Sequence, residues 1–392
     1  MTNEQKIFLK LVSCGINGSI CNEELQIDSN VIEITNLHRC HPFAYYAALK
    51  SGIDAPKEWK YRTLYGAIDT EKKLAVQTSV VKKLEEASIK YAILKGASLL
   101  RCYSVPGIRL MGDIDVLVRE SDYERAAKLI SHDGDFENNT HEFHFAVDVN
   151  GVSVEIHKYV THNIGSYNKR VLDIMADALD ETELVNWDGH EFRVLKNKYQ
   201  ALSLLIHKLR HMDDNKFIFR LVCDWASFVS SVDEMEWKKE VYPILKKAGL
   251  HLFADAMTMC ACRYLGVNNS SMVMTDIDDD VVDTLAEFLL SCGVGESKTN
   301  LTVGIGILYE RNMRHSNNLI AMIKSINEIS LKRFSLARYR IFLPVFWIYI
   351  PLRYLCRLVL RKRDNINYSI FAKTVNDRKK IYENLQLDYG QR

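Results

Sequence analysis

The first chemistry the sequence offers lies in Asp113-Ile114-Asp115-Val116-Leu117-Val118, two carboxylates two residues apart at the head of an apolar run. Side chains alternate across a strand, so Asp113 and Asp115 project from one face while Ile114 and Val116 turn toward a core. Carboxylates that close repel, and one would stay protonated unless a cation neutralised the pair, so the spacing points to a bound divalent metal. A second apolar run, Val152 to His157, carries Glu155 and His157 on one face and Val152, Val154 and Ile156 on the other. Paired beside the first, it would bring Asp113, Asp115 and Glu155 together as the oxygen donors that Mg²⁺ prefers, with coordination positions left for phosphate and water. His157 would then orient a metal ligand or the acceptor; its alternative is a polar strand residue with no chemical role.

An anion seat is offered by Leu94-Lys95-Gly96-Ala97-Ser98, a turn from strand into helix. Gly96 lets the backbone come close to an anion, the helix N-terminus presents free N–H groups, and Lys95 or Ser98 adds a side-chain donor. Taken alone, Lys-Gly at such a junction is equally a plain structural turn. Arg109, ahead of the Asp-x-Asp strand, either contacts a phosphate or pairs with Glu155. Arg220 and Asp224 sit at i and i+4 on a helix, the spacing of a salt bridge. His207 and His211 share a helical face in the manner of a zinc pair, but no third ligand and no HExxH glutamate accompany them. His141 and His144 flank the start of a strand.

These residues need a scaffold, and the sequence supplies one between Lys90 and about residue 160. Tyr91 to Leu94 reads as a short buried strand, Ala97 to Tyr103 as a helix ended by Pro106-Gly107, and Asp113 to Val118 as a second strand. Ser121 is the expected N-cap of a helix through Ile130, with Asp122 and Glu124 favouring its N-terminal dipole. Phe143 to Val149 and Val152 to Lys158 alternate on either side of Asn150-Gly151, the signal for a two-residue type I′ hairpin. Before this unit, helical periodicity covers Glu4 to Val12, Val31 to Arg39 and Ala75 to Ala87. Beyond Asp173 the patterns are helical again: Lys198 to His211, Phe217 to Ser231, Glu236 to Lys247, Leu252 to Tyr264, Asp278 to Leu290 and Leu301 to Leu331. The expected fold is α+β, a small mixed β-sheet core embedded in mostly α-helical N- and C-terminal regions. Its divisions fall at 1–85, 86–165, 166–335 and 336–392, the last an apolar and basic segment with a tail.

Composition narrows the class. With 51 basic and 50 acidic residues, 47% hydrophobic and 26% charged, the chain is an ordinary globular protein without the positive field that draws a protein to nucleic acid. Nine scattered cysteines with no CxxC pair form neither a zinc spacing nor a disulfide framework, and read as buried thiols in a reducing compartment. The N-terminus lacks the continuous apolar stretch of a secretion signal, so the expected location is the cytoplasm. One segment complicates that: Ile341 to Leu360 is strongly apolar and flanked by Lys332, Arg333, Arg338 and Arg340 on one side and Arg361, Lys362 and Arg363 on the other. Its longest uncharged run, Ile341 to Leu352, is too short to span a bilayer, for which roughly 20 apolar residues are needed, and it contains Pro344 and Pro351. It either docks into the protein's own core or makes peripheral membrane contact through 341–363.

Taken in order, Leu94-Lys95-Gly96-Ala97, then Gly107-Ile108-Arg109-Leu110-Met111-Gly112-Asp113-Ile114-Asp115-Val116-Leu117-Val118, then Val154-Glu155-Ile156-His157 resemble the uncharacterised nucleotidyltransferase family of the polymerase-β-like nucleotidyltransferase superfamily. The resemblance implies that the glycine turn holds a nucleoside triphosphate, ATP first among the candidates, and that Asp113, Asp115 and Glu155 hold two Mg²⁺ ions, with Mn²⁺ as a substitute. A nucleoside monophosphate would pass to a hydroxyl-type acceptor on a small molecule, sugar or protein. A weaker similarity continues through His207 and Arg220-Leu221-Val222-Cys223-Asp224, which implies that Arg220 and Asp224 line the nucleotide pocket. The chain departs from the superfamily in having Ala97 where a serine usually follows the glycine, which leaves Ser98 as the nearest hydroxyl. The alternative to an enzyme is a catalytically silent scaffold in a biosynthetic assembly that keeps the site for a metal or nucleotide.

Overall fold

The computed structural model describes residues 1–23, 25–131, 144–160, 167–213, 216–292, 318–359 and 368–387. Ahead of the first strand come α1 (Asn3–Ile16), α2 (Ser29–Leu37), α3 (His41–Ser51) and α4 (Lys57–Glu86). Their starts are fixed locally. Thr2 and Gln5 make a reciprocal capping box on α1, and the Asp28 carboxylate accepts from the N–H groups of Asn30 and Val31 on α2. α4 begins well before the expected Ala75 because buried Trp59 anchors its first turn, while Leu74, Val80, Val81 and Leu84 pack on the sheet.

The strands β1 (Tyr91–Leu94), β2 (Ile114–Val118), β3 (His144–Val149), β4 (Val152–His157), β5 (Thr182–Trp187) and β6 (His190–Leu195) form one mixed sheet in the order β3-β4-β2-β1-β6-β5. β2 runs parallel to β4 and β1 parallel to β6, and the remaining neighbours are antiparallel. The β3–β4 turn has Asn150 and Gly151 at φ 55° and 75°, the positive values a type I′ turn requires. One face of the sheet, with Ile93, Ile114, Val116, Val154 and Ile156, is sealed by α4 and α5 (Tyr123–Ile130). The other face, with Ala92, Leu94 and Leu117, meets a larger helical body. Asp115 alternates onto that second face, so the carboxylates stand at the seam between sheet and helices.

The body contains α6 (Tyr167–Met175), α7 (Asn197–Asp213), α8 (Arg220–Ser231), α9 (Tyr242–Ala248), α10 (His251–Leu265) and α11 (Asp279–Ser291). α12 (Asn318–Arg333), α13 (Leu343–Val359) and α14 (Tyr368–Asn384) follow. α14 packs on α11, and its buried Arg378 donates to Asp213 at 2.8 Å. His38, at the end of α2, is a buried tie: its Nδ1 accepts from the Phe219 N–H at 3.1 Å, so Nε2 carries the proton it donates to the Leu290 carbonyl at 3.2 Å.

The architecture is the expected α+β, with several corrections. β5 and β6 occupy a stretch read as part of a helical region, and they carry the sheet past residue 165. Ser121 does not cap α5; a 3₁₀ turn, Glu120–Asp122, precedes it and no side chain caps its N-terminus. The segment after Gly96 is a 3₁₀ helix, Gly96–Cys102, tightened by the Ser98 N–H donating to the Lys95 carbonyl at 2.7 Å. β1 and β2 pair antiparallel on either side of it, with Leu94 opposite Asp115. Within Ile341 to Leu360 the described side chains stay out of the main core: Phe346 and Ile350 of α13 pack with Ile326 and Ile329 of α12 in a small separate cluster. Among the described residues no helix is long and apolar enough to cross a membrane. His141, Phe143, residues 301–317 and Arg361, Lys362 and Arg363 lie outside the described residues.

Candidate active site

Parallel pairing of β2 with β4 sets Asp115 directly opposite Glu155. His157, two residues further along β4, points the same way, and donor atoms of Asp115, Glu155 and His157 all lie within 4.8 Å of one another. His157 Nε2 is 2.9 Å from Asp115 Oδ1 and 3.1 Å from Glu155 Oε2. Both partners accept, so Nε2 carries the proton and bridges the two carboxylates. Burial disfavours a charged imidazole, yet these hydrogen bonds raise its pKa above the ordinary histidine value.

Lys95 closes the cluster from the β1 side, with its Nζ 2.8 Å from the same Asp115 oxygen. Burial opposes the charge on Asp115, but Lys95 and then His157 hold its carboxyl well below the usual carboxylate range. Asp115 is thus a buried carboxylate kept ionised by Lys95 and His157, and with Glu155 it offers oxygen donors of the kind a divalent ion takes. Lys95 has φ 48°, uncommon for a residue with a side chain, and Gly96 follows at 33°. A Cβ on Gly96 would meet the Asp113 carbonyl at 3.4 Å, so a tight, strained turn sits against the start of β2. Asp113 is exposed at that start; it borders the adjoining cavity and lies outside the three-residue donor cluster.

The cavity holds about 390 Å³ between the Lys95 turn and helices α7 and α8. Beyond Asp113 and Asp115 its walls are notably basic, with Arg39, Lys95, Arg109, Lys208, Lys216 and Arg220. Arg109 does not pair with Glu155. Its guanidinium grips Asp224 through Nε at 2.9 Å and Nη2 at 3.2 Å, and Tyr103 donates to the same carboxylate at 2.6 Å. Arg220 adds an ion pair to Asp224 at 3.8 Å, the i,i+4 spacing read from the sequence, and its buried Nη1 has no hydrogen bond among the described residues. Burial works against charge on Asp224, but Arg109 and Arg220 hold it well below the usual range.

Lys208 is the residue that sequence reasoning missed. It is 0% exposed, makes no ion pair among the described residues, and reaches the Leu204 carbonyl at 3.4 Å. Burial pushes its ammonium down to about 7, although Asp224 favours the charge. A signal existed: Lys208 continues the Leu204 and Met212 face of α7, where a core residue belongs. Ser98 is turned away from the cavity: its hydroxyl donates to the Lys95 carbonyl at 2.7 Å and accepts from Gln200 at 2.8 Å. It braces the turn from behind. His207 and His211 border the cavity with rings 4.4 Å apart, and neither belongs to the Asp115 cluster.

A family model described as an uncharacterised nucleotidyltransferase matches residues 27–266, more than half of the chain. The chain belongs to this family. The nucleotidyltransferase match spans α2 through α10 and so takes in the whole sheet, the carboxylate cluster and the basic walls facing it. No curated protein and no solved structure matches the chain.

Proposed function

We propose that this nucleotidyltransferase moves a nucleoside monophosphate from a nucleoside triphosphate to a hydroxyl group of a second substrate. The observation that carries the reading is the buried Asp115–Glu155–His157 cluster opening beside a cavity walled by cations. Asp115 and Glu155, with Asp113 at the cavity edge, would hold Mg²⁺, or Mn²⁺ in its place. Bound there, the metal neutralises charge on the phosphates and lowers the pKa of the attacking hydroxyl.

The chain's own groups divide the remaining work. The Lys95-Gly96 turn, Lys208 and the Arg220 guanidinium face the triphosphate, where buried cations are worth more than exposed ones. Arg109 acts one step back, fixing Asp224 and through it the α8 side of the cavity. The acceptor oxygen bonds to the α-phosphorus, the bond to the β-phosphate oxygen breaks, and pyrophosphate leaves. Glu155 takes the acceptor proton, with its carboxylate oriented by His157. ATP is the first nucleotide to test.

The silent-scaffold alternative draws on one observation, Lys95 seated on Asp115 where a cation would bind. The lysine side chain is flexible enough to swing toward a phosphate, so the contact also suits a site awaiting its nucleotide. Parallel incubations with α-labelled and γ-labelled triphosphate test the proposal. Nucleotidyl transfer leaves the α-label on the product and the γ-label in pyrophosphate; γ-label on the product means phosphoryl transfer, and no product from either supports the scaffold.

A further inference from the structure

We infer that the α12–α13 hairpin is a docking surface for an anionic lipid bilayer, on which it lies without crossing. Phe346 and Ile350 on the inner side of α13 are spent on contacts with α12, and Phe334 stacks on Phe346 with ring centroids 4.9 Å apart. The outer side has nothing against it among the described residues: Val345, Ile348 and Leu352, with Ile341 in the 3₁₀ turn just ahead of the helix, form one stripe exposed at 59%, 65%, 53% and 82%. Phe342 beside the stripe, and Leu319 and Met322 of α12, are exposed as well. Apolar side chains contiguous on this scale are rare on a surface that meets only water.

Charge decides the occupant. From Ile329 to Arg363 the sequence has nine lysines and arginines and no aspartate or glutamate, which leaves the rest of the chain eight charges negative. Arg338 and Arg340 stand exposed at the foot of the stripe. Two copies docked through this face would bring two uniformly positive segments together, whereas anionic headgroups would neutralise them. Aromatic residues cluster here too: Trp347 donates its indole N–H to Asn327 at 2.7 Å and Tyr349 accepts from Arg353 at 3.0 Å, each ring apolar in body and polar at the tip, as suits a headgroup boundary. The helix has 17 residues with Pro351 inside it, so it fits a position along the surface.

Co-sedimentation of the full chain with vesicles tests this, using phosphatidylcholine alone and phosphatidylcholine with one-third phosphatidylglycerol. Partitioning onto the anionic vesicles is expected to exceed that onto neutral ones by about tenfold, and to fall as salt rises. Ile341→Glu with Ile348→Glu should reduce it by at least about tenfold, because both positions would place a charge in the apolar boundary. Both sites are exposed, so the thermal midpoint should not move. Wild type left in the supernatant with both vesicles overturns the inference. So does equal binding to both compositions, or a wild-type dimer that the double variant converts to monomer.

Discussion

Replacing Lys208 with methionine should stabilise the protein while weakening its hold on nucleotide. The buried ammonium has its pKa lowered from 10.5 to about 7, so the unfolded chain binds the proton more readily than the folded one. The folded state therefore loses stability as pH falls from the unfolded value toward the folded value, and recovers it as pH rises again. At about 1.36 kcal/mol per pKa unit, the penalty is about 4 kcal/mol at pH 7 and shrinks to about 1 kcal/mol by pH 10. Methionine keeps the unbranched stem and removes the charge, so Lys208→Met should gain up to that amount at pH 7. Denaturant unfolding of wild type and variant from pH 7 to 10 measures the difference, in which titrations common to both chains cancel. Nucleotide affinity measured on the same preparations should fall about tenfold with the loss of one buried charged contact. A variant less stable than wild type at pH 7, or a stability difference independent of pH, would refute the reasoning; unchanged affinity would remove Lys208 from the nucleotide seat.

Asp224→Asn leaves buried Arg109 without its counter-charge and should cost about 3–5 kcal/mol in unfolding free energy; adding Arg109→Met should recover part of the loss, which a double-mutant cycle measures. His38, lowered from 6.5 to about 4 chiefly by burial, contributes stability that is present above pH 6.5 and lost as pH falls toward 4. That loss should amount to about 3 kcal/mol in wild type and be absent from the His38→Gln variant, so it should appear in full in the difference between the two curves. Gly96→Ala forces a side chain into a positive-φ turn against β2 and should cost about 1 kcal/mol in stability. It should slow transfer more than it weakens the fold, as read by comparing kcat with the thermal midpoint.

The sheet centre was legible because its signals are local. Asp113 and Asp115 at strand spacing, Glu155 and His157 at the same spacing, and Asn150-Gly151 between alternating runs require no knowledge of distant residues. The β5–β6 hairpin carries the same kind of signal, Asp188-Gly189 between alternating segments, but Glu183 takes an inward position opposite Val194 while the apolar Leu184 faces outward, which blurs the alternation of an edge hairpin. What sequence could not give is what the fold makes non-local. Arg109 meets Asp224 across 115 positions, so its choice of Asp224 over Glu155 depends on how α8 docks. Ser98 looks like a phosphate donor until Gln200, 102 positions away, occupies its hydroxyl. Lysine on a helix is usually solvated, and only the packing of α7 against α8 buries Lys208.

The measurement closest to the central claim is incubation of the purified protein with each α-labelled nucleoside triphosphate, Mg²⁺ or Mn²⁺ and a cell extract as acceptor source, run beside the Asp113→Asn, Asp115→Asn double variant. Label transferred to a discrete species by wild type alone, and lost on adding chelator, is the predicted result. Equal labelling by the double variant, or metal-dependent nucleotide binding with no transfer to any species, would contradict it.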